Sequence, residues 1–403
     1  MVTEKRDLTS GLSVWLGNRK HSKLSVGSVL SKNRSDIIVV GTGISGALVA
    51  DALLNAGFSV LAVDRRNIMS GSTSASTALL EFEIDNPLIH LEKKIGKTMA
   101  ARAWWRSAQA VQALSDRICD VGIECDFFPR STLYLPGDLL GVRDLKHETI
   151  ARQKLGLRSS FVDRTELEKL NGIQAAGAIL SKGNGELDPV RLVHGLWKNF
   201  IKNGGHVVEN VEVTEVDQSR SFVKLKTSDG QTITSRYAVF CTGYEVLKCA
   251  RPRNYKIIST WVLGTRRQPA NLWRGKSLIW EAADPYLYLR TTPDGRILAG
   301  GEDEPFSNAE LRDRMLSKKI AAIAKKAKKI WPGANFEAEY AWTGSFGESP
   351  TGLPAIGPIK GLSRCYAVLG FGGNGISYSM LAAQLVSRHI QGIDDPDAGI
   401  FAL

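Results

Sequence analysis

The chain has 403 residues, 43% hydrophobic and 23% charged, with a net charge of +11, which is ordinary for a folded globular protein and long enough for two domains. No run approaches the ~18 apolar residues of a spanning helix and no apolar stretch marks a secretory leader, so a cytoplasmic location is expected. The basic residues are scattered among acids without interleaved aromatics, which argues against nucleic acid. Cys119, Cys125, Cys241, Cys249 and Cys365 form no C-x-x-C pair or zinc-like set, so no metal is expected and a reducing compartment fits.

Residues 1–35 are polar and basic without clear periodicity, and Trp15 with Leu16 suggests an arm packed on the surface rather than a free tail. Asp36-Ile-Ile-Val-Val-Gly-Thr-Gly-Ile-Ser-Gly46 follows. Ile37 to Val40 read as a central parallel strand. Gly41 allows the tight turn, Gly43 a close approach to a pyrophosphate, and Gly46 close packing of the next helix, whose N-terminus faces the anion. That helix carries Ile44 and Ser45 and stops at Gly57. The second strand, Phe58 to Val63, ends at Asp64, 23 residues after Gly41, where a carboxylate takes ribose hydroxyls. Arg65 and Arg66 keep a 2′-phosphate open as the minor alternative.

Gly71 to Leu80 is a run of small hydroxyl residues, including Ser72, Thr73, Ser76 and Thr77, that suits either a plain loop or a cofactor loop. Pro87 to Val121 is helical in pattern, and Cys125 to Leu135 and Gly177 to Leu180 read as strands around a helix at Thr165 to Leu170. A helix over Val190 to Asn203 precedes strands at His206 to Val216 and Phe222 to Thr227, and Tyr237 to Gly243 is an apolar strand ending in Thr242-Gly243.

From Tyr255 to Trp342 the chain is strand-rich and aromatic. The period of two in Tyr286-Leu-Tyr-Leu-Arg290 puts both tyrosines and Arg290 on one face. Ala309 to Ile330 is a helix with one buried stripe and a solvated lysine face that includes Lys318, Lys319, Lys325, Lys326, Lys328 and Lys329. The last section is again strand, glycine loop and helix: Ala367 to Leu369, Gly370 to Gly375, and Met380 to Ile390.

With these segments in place the chain resembles the FAD-dependent oxidoreductases of the D-amino acid oxidase type, which include glycine oxidase and sarcosine oxidase. The motifs that carry the resemblance are Gly41 to Gly46 with Asp64, Thr242-Gly243, Gly352-Leu-Pro-Ala-Ile-Gly357 and Gly370 to Gly375. It implies an α/β Rossmann-like FAD-binding domain with a discontinuous α+β substrate domain built on an antiparallel sheet. The FAD domain would comprise residues 36–90, 181–250 and 343–403, and the substrate domain residues 91–180 and 251–342, after the arm at 1–35. The cofactor would meet Gly41, Gly43, Ile44, Ser45, Gly46, Asp64 and Arg65 at one end, and Ser72, Thr73, Ser76, Thr77, Val211, Thr242 and Gly243 along its length. Gly372, Gly373, Asn374, Gly375 and Ile376 would lie against the flavin.

The implied reaction oxidises the C–N bond of a small amine or amino acid by hydride transfer to flavin, with oxygen or a carrier as acceptor and the imine hydrolysed by water. Flavin monooxygenase or hydroxy-acid dehydrogenase chemistry, or a non-catalytic FAD-binding role, are the alternatives on the same fold. Relatives bind a substrate carboxylate with an arginine shortly after a W-x-G unit, but Phe346 stands there after Trp342-Thr343-Gly344. Ser377 occupies the place of a C-terminal lysine, and no cysteine lies near Ser345 to bond flavin, so FAD held without a covalent link is expected. Arg290 is the substitute candidate for a carboxylate. Trp261, Tyr288 and Trp342 are candidates for an aromatic pocket, with core packing as the alternative for each.

Overall fold

Ile37, Ile38 and Val39 have no solvent exposure and form the middle of an eight-stranded sheet. In the computed structural model, which describes residues 2–17, 24, 26–27, 34–252 and 254–403, Arg34–Val40 pairs in parallel with Thr232–Phe240 on one side and Val60–Val63 on the other. His206–Val208 and Leu362–Leu369 extend the parallel set outward, and Ala355–Ile359 closes one edge antiparallel. Helices Ile44–Asn55, Pro189–Lys202 and Gly375–Ile390 cover this sheet. Burial on both faces explains the unbroken apolar strands, each large aliphatic side chain contributing about 1.5–3 kcal/mol. Asp188 caps the Pro189–Lys202 helix by accepting from the Val190 and Arg191 N–H groups, both at 3.0 Å, with Pro189 at its first position.

The second sheet has ten strands, paired antiparallel except where Leu278–Glu281 runs parallel to Phe128–Leu135. Its sequence-separated partners include Lys256–Thr265, Ile297–Glu304 and Ala338–Glu348. The helix Leu316–Ile330 packs Ile323 and Ala327 against it. The mixed α/β fold with an antiparallel second sheet is therefore as expected.

Several local expectations change. The helical run at 87–121 divides at Gly96 (φ 86°) into Leu88–Ile95 and Lys97–Val121, because the left-handed backbone there interrupts the ladder. The 309–330 run divides at Met315 into Ala309–Arg314 and Leu316–Ile330. Its lysine face is not uniformly solvated: Lys319 is buried, donating to the Glu302 carbonyl at 2.7 Å and to Glu304 Oε1 at 2.6 Å. The strand begun at Gly177 continues to Glu186, and Ala338–Glu348 also belongs to the ten-stranded sheet, so residues 181–186 and 343–348 lie in the sheet expected for the substrate side. Residues 9–12 of the arm form an edge strand on that sheet, with Thr9 opposite Gly344 and Leu12 opposite Ala341. Of the arm, residues 1, 18–23, 25 and 28–33 lie outside the described residues.

Candidate active site

The parallel strands end together at Val40, Val63, Phe240 and Leu369, and a cavity partly open to solvent extends from these ends to the second sheet. Gly41, Gly43, Ile44 and Ser45 line it. A Cβ on Gly41 (φ 111°) would sit 2.2 Å from the Cys241 carbonyl oxygen, and one on Gly46 would sit 1.8 Å from the Gly41 oxygen. Gly46 therefore does not line the cavity. It lets the helix start directly on the strand end.

Asp64 lines the same end, its Oδ2 accepting from the Thr42 N–H at 2.7 Å and hydroxyl at 2.9 Å and its Oδ1 from the Arg66 N–H at 2.9 Å. Arg65 and Arg66 both pair with Glu245, whose carboxylate also accepts from the Arg6 N–H at 2.9 Å. Arg65 Nη1 is nevertheless buried without a partner, as is the Ser72 hydroxyl, and both residues line the cavity. Val211, Thr242 and Gly243 line it too, the Val211 N–H donating to the Asp64 carbonyl at 2.7 Å. A glycine cradle, a helix N-terminus and two orphaned donors fit the polyphosphate and hydroxyls of a dinucleotide.

The hydroxyl run forms a 3-10 turn at Ser72–Ala75, with Thr73 Oγ1 accepting from the Ile44 N–H at 3.1 Å. Ser72, Thr73, Ser76 and Thr77 all line the cavity. The carbonyls that follow are held one after another from the second sheet and the arm. Trp342 Nε1 donates to Ala75 at 2.8 Å, Trp15 Nε1 to Ser76 at 2.7 Å, and Arg290 Nη1 to Thr77 at 2.9 Å and Ala78 at 2.8 Å.

This corrects the reading of Arg290 as a carboxylate ligand. It shares the tyrosine face, but its guanidinium also donates to the Leu187 and Thr291 carbonyls, lies 3.6 Å from Glu186, and is absent from the cavity wall. Trp342 is likewise a support behind the wall, and Trp261 is core, donating to the Arg312 carbonyl at 3.0 Å. Tyr288 and Phe346 do face the cavity, joined by Trp280 and Tyr286. Trp280 stacks on Tyr134 at 3.9 Å between centroids.

At the far end Gly372, Gly373, Asn374, Gly375 and Ile376 line the cavity as expected, and they meet a segment that sequence reasoning missed. Glu81, Glu83 and Asp85 line the wall while Phe82 and Ile84 are buried in the core. Ser377 Oγ donates to the Glu81 carbonyl at 2.8 Å, Asn374 Nδ2 to the Glu83 carbonyl at 2.6 Å, and the Gly373 N–H to Asp85 Oδ2 at 2.9 Å. The signal was an alternation of acid and apolar residues.

Burial, then the like charges of Glu83 and Asp85, push the Glu81 carboxyl well up. Asp85 is exposed and lines the cavity, and desolvation by the protein around it pushes its carboxyl up to about 6 against the Gly373 N–H. Burial also raises Asp303, just behind, to about 7, opposed by the Thr260 hydroxyl and Lys319 and reinforced by Asp85 and Glu348.

Residues 36–389 match the FAD dependent oxidoreductase family. The chain is similar to the gamma-glutamylputrescine oxidoreductase of Escherichia coli K12, 25% identical over 373 residues that cover 89% of this chain and 84% of that protein. Among solved structures, glycine oxidase from Geobacillus kaustophilus matches with a TM-score of 0.75 at 20% identity, covering 92% of this chain and 99% of that one. The L-proline dehydrogenase of P. horikoshii matches at 0.74 and 19%, covering 92% and 97%. The resemblance read from the glycine motifs holds, and FAD is the cofactor of this family.

Proposed function

We propose that this chain, which belongs to the FAD-dependent oxidoreductase family, oxidises the carbon–nitrogen bond of a small amine that carries no carboxylate beside the reacting carbon. FAD, when bound, supplies a two-electron acceptor for the hydride on the carbon next to nitrogen. Gly41 to Gly46, Asp64, Ser72 and Thr242-Gly243 would hold its adenosine and phosphate portion, and Gly372 to Ile376 with Ser76 and Thr77 would meet the ring. The amine is presented neutral, its proton goes to solvent, and water hydrolyses the imine.

The observation that carries this reading is the charge of the far wall. Among the described residues the only arginines lining the cavity are Arg65 and Arg66, at the Asp64 end and paired with Glu245. The other end offers Phe346, Tyr286, Tyr288 and carboxylates, which suit an amine and repel a carboxylate. The proposed FAD domain comprises residues 36–90, 187–250 and 349–403, since the strands that end at Glu186 and Glu348 belong to the second sheet. Oxygen or a carrier reoxidises the flavin, and a cytoplasmic setting is supported by five free cysteines. No helix of the described residues is long and apolar enough to cross a membrane.

Anaerobic titration of the flavin-loaded protein tests the reading. Amines should bleach the visible absorbance faster than the matching α-amino acids do. Bleaching by NADPH or a hydroxy acid instead, with amines inert, would move the assignment to the corresponding chemistry.

A further inference from the structure

We propose that Glu81, Glu83 and Asp85 form a subsite for a second positive charge on the substrate, so that the preferred donors are diamines or longer polycations rather than monoamines. The inference rests on the carbon–nitrogen reading above.

The three acids share one side of an extended segment, as alternate residues must, with Phe82 (2% exposed) and Ile84 (0%) on the other. Their positions are set by the glycine loop, through the Ser377, Asn374 and Gly373 hydrogen bonds to this segment. A carboxylate on a loose surface loop would turn to water. These cannot.

Two of the acids are unsatisfied by the protein. Glu81 and Glu83 are 7% and 1% exposed, both line the cavity, and Glu81 Oε1 and Glu83 Oε2 are buried with no hydrogen-bond partner. A buried acceptor left unpaired costs about 1–3 kcal/mol, more if charged, and a ligand that donates to it recovers that cost.

The cations nearby are engaged elsewhere, although Arg152 Nη2 has no hydrogen-bond partner. Arg152, 3.6 Å from Glu83, is held by Glu148 at 2.8 Å and lies over the Trp104 ring. Lys319 is held by Glu304 and the Glu302 carbonyl. Among the described residues neither Glu81 nor Asp85 is ion-paired, although Arg152 acts on Glu81 from a distance, and Asp303, behind the cavity wall, adds a further acid. An ammonium carries three donors and one compact charge, which suits several convergent carboxylate oxygens. Trp280, Tyr286 and Tyr288 supply apolar walls for a methylene chain and ring faces for a cation.

Three four-carbon amines differing only at the far end separate the possibilities: n-butylamine, 1,4-diaminobutane and 4-aminobutanoate. With the FAD-loaded protein, kcat/KM for flavin reduction should be at least about tenfold higher for the diamine than for butylamine, with 4-aminobutanoate lowest. Glu81→Gln and, separately, Asp85→Asn should each bring the diamine-to-monoamine ratio down about tenfold, mainly through KM. Bound flavin absorbance reports that each variant is folded.

Calorimetry on dithionite-reduced holoenzyme, which does not turn over, measures diamine binding apart from chemistry. If amines reduce the flavin with no preference for the diamine, or both variants keep the wild-type ratio and affinity, the subsite is wrong and the carbon–nitrogen reading stands. If no amine reduces the flavin but the diamine binds and Glu81→Gln abolishes binding, the subsite stands and the reaction reading fails.

Discussion

Arg290 Nη1 donates to the Ala78 carbonyl at 2.8 Å across 212 residues of chain, and with its bond to Thr77 this ties the hydroxyl loop to the second sheet. The loop's other carbonyls are held by Trp342 and Trp15, so the wall of the cofactor cavity depends on residues that never touch the cavity.

Replacing Arg290 by Met should therefore act on stability and cofactor retention. It leaves carbonyls of Thr77, Ala78 and Leu187 unpaired and removes the charge 3.6 Å from Glu186, which keeps Arg130 at 2.9 Å, and each buried acceptor left unpaired costs about 1–3 kcal/mol. Thermal unfolding and the flavin-to-protein absorbance ratio should both fall. A variant with normal stability and flavin content but a raised KM would restore Arg290 as a substrate ligand.

Trp342→Phe keeps an aromatic ring but removes the pyrrole part of the buried indole, and with it the hydrogen bond to the Ala75 carbonyl. The expected loss is smaller, about 1–3 kcal/mol, read by denaturant midpoint. Weaker FAD affinity should accompany it, because the Ser72–Ala75 turn then loses an anchor. Fluorescence quenching titration of the flavin-free variant measures that affinity.

Gly46→Ala tests the other end. The added Cβ would meet the Gly41 carbonyl oxygen at 1.8 Å, so the helix must move off the strand end and take its N-terminal N–H groups with it. FAD binding should fall by more than tenfold. Gly57→Ala makes the contrast, since a Cβ there meets nothing within 4 Å, although its φ of 88° carries a strain cost; it should lower stability while leaving FAD affinity near normal.

Much of this architecture was legible because its constraints are short-range. The 41–46 glycines, the strand before them and Asp64 lie within one stretch of chain, and each is demanded by a local approach. Thr242-Gly243 and Gly372 to Gly375 follow the same rule at other strand ends. Arg290 was placed on the correct face by periodicity, yet its role depended on carbonyls brought from residues 77, 78 and 187. Period two also could not say whether Glu81, Glu83 and Asp85 faced solvent or a cavity, since both give alternating acid and apolar residues. The edge strand at Thr9–Leu12 has no signal of its own, because its register comes from residues 341–344.

Asp303 gives a pH dependence whose sign can be worked out. Both its carboxylate oxygens are shielded and lack hydrogen-bond partners, and burial raises its carboxyl from an ordinary 3.8 to about 7. The groups that act on it are Thr260, Asp85, Lys319 and Glu348, with Lys319 itself held by Glu304. A raised acid binds its proton more tightly in the folded state. The associated stability is therefore complete below about pH 3.8 and lost as pH rises through about 7. Asp303→Asn removes the titration, so the variant should gain in Tm over the parent at pH 8, by about 2 °C or more, and gain less than half as much at pH 5. Differential scanning calorimetry of both flavin-free proteins across that range checks the slope. An equal difference at the two pH values would mean that Asp303 is ionised throughout and that Lys319 or the Thr260 hydroxyl compensates its charge.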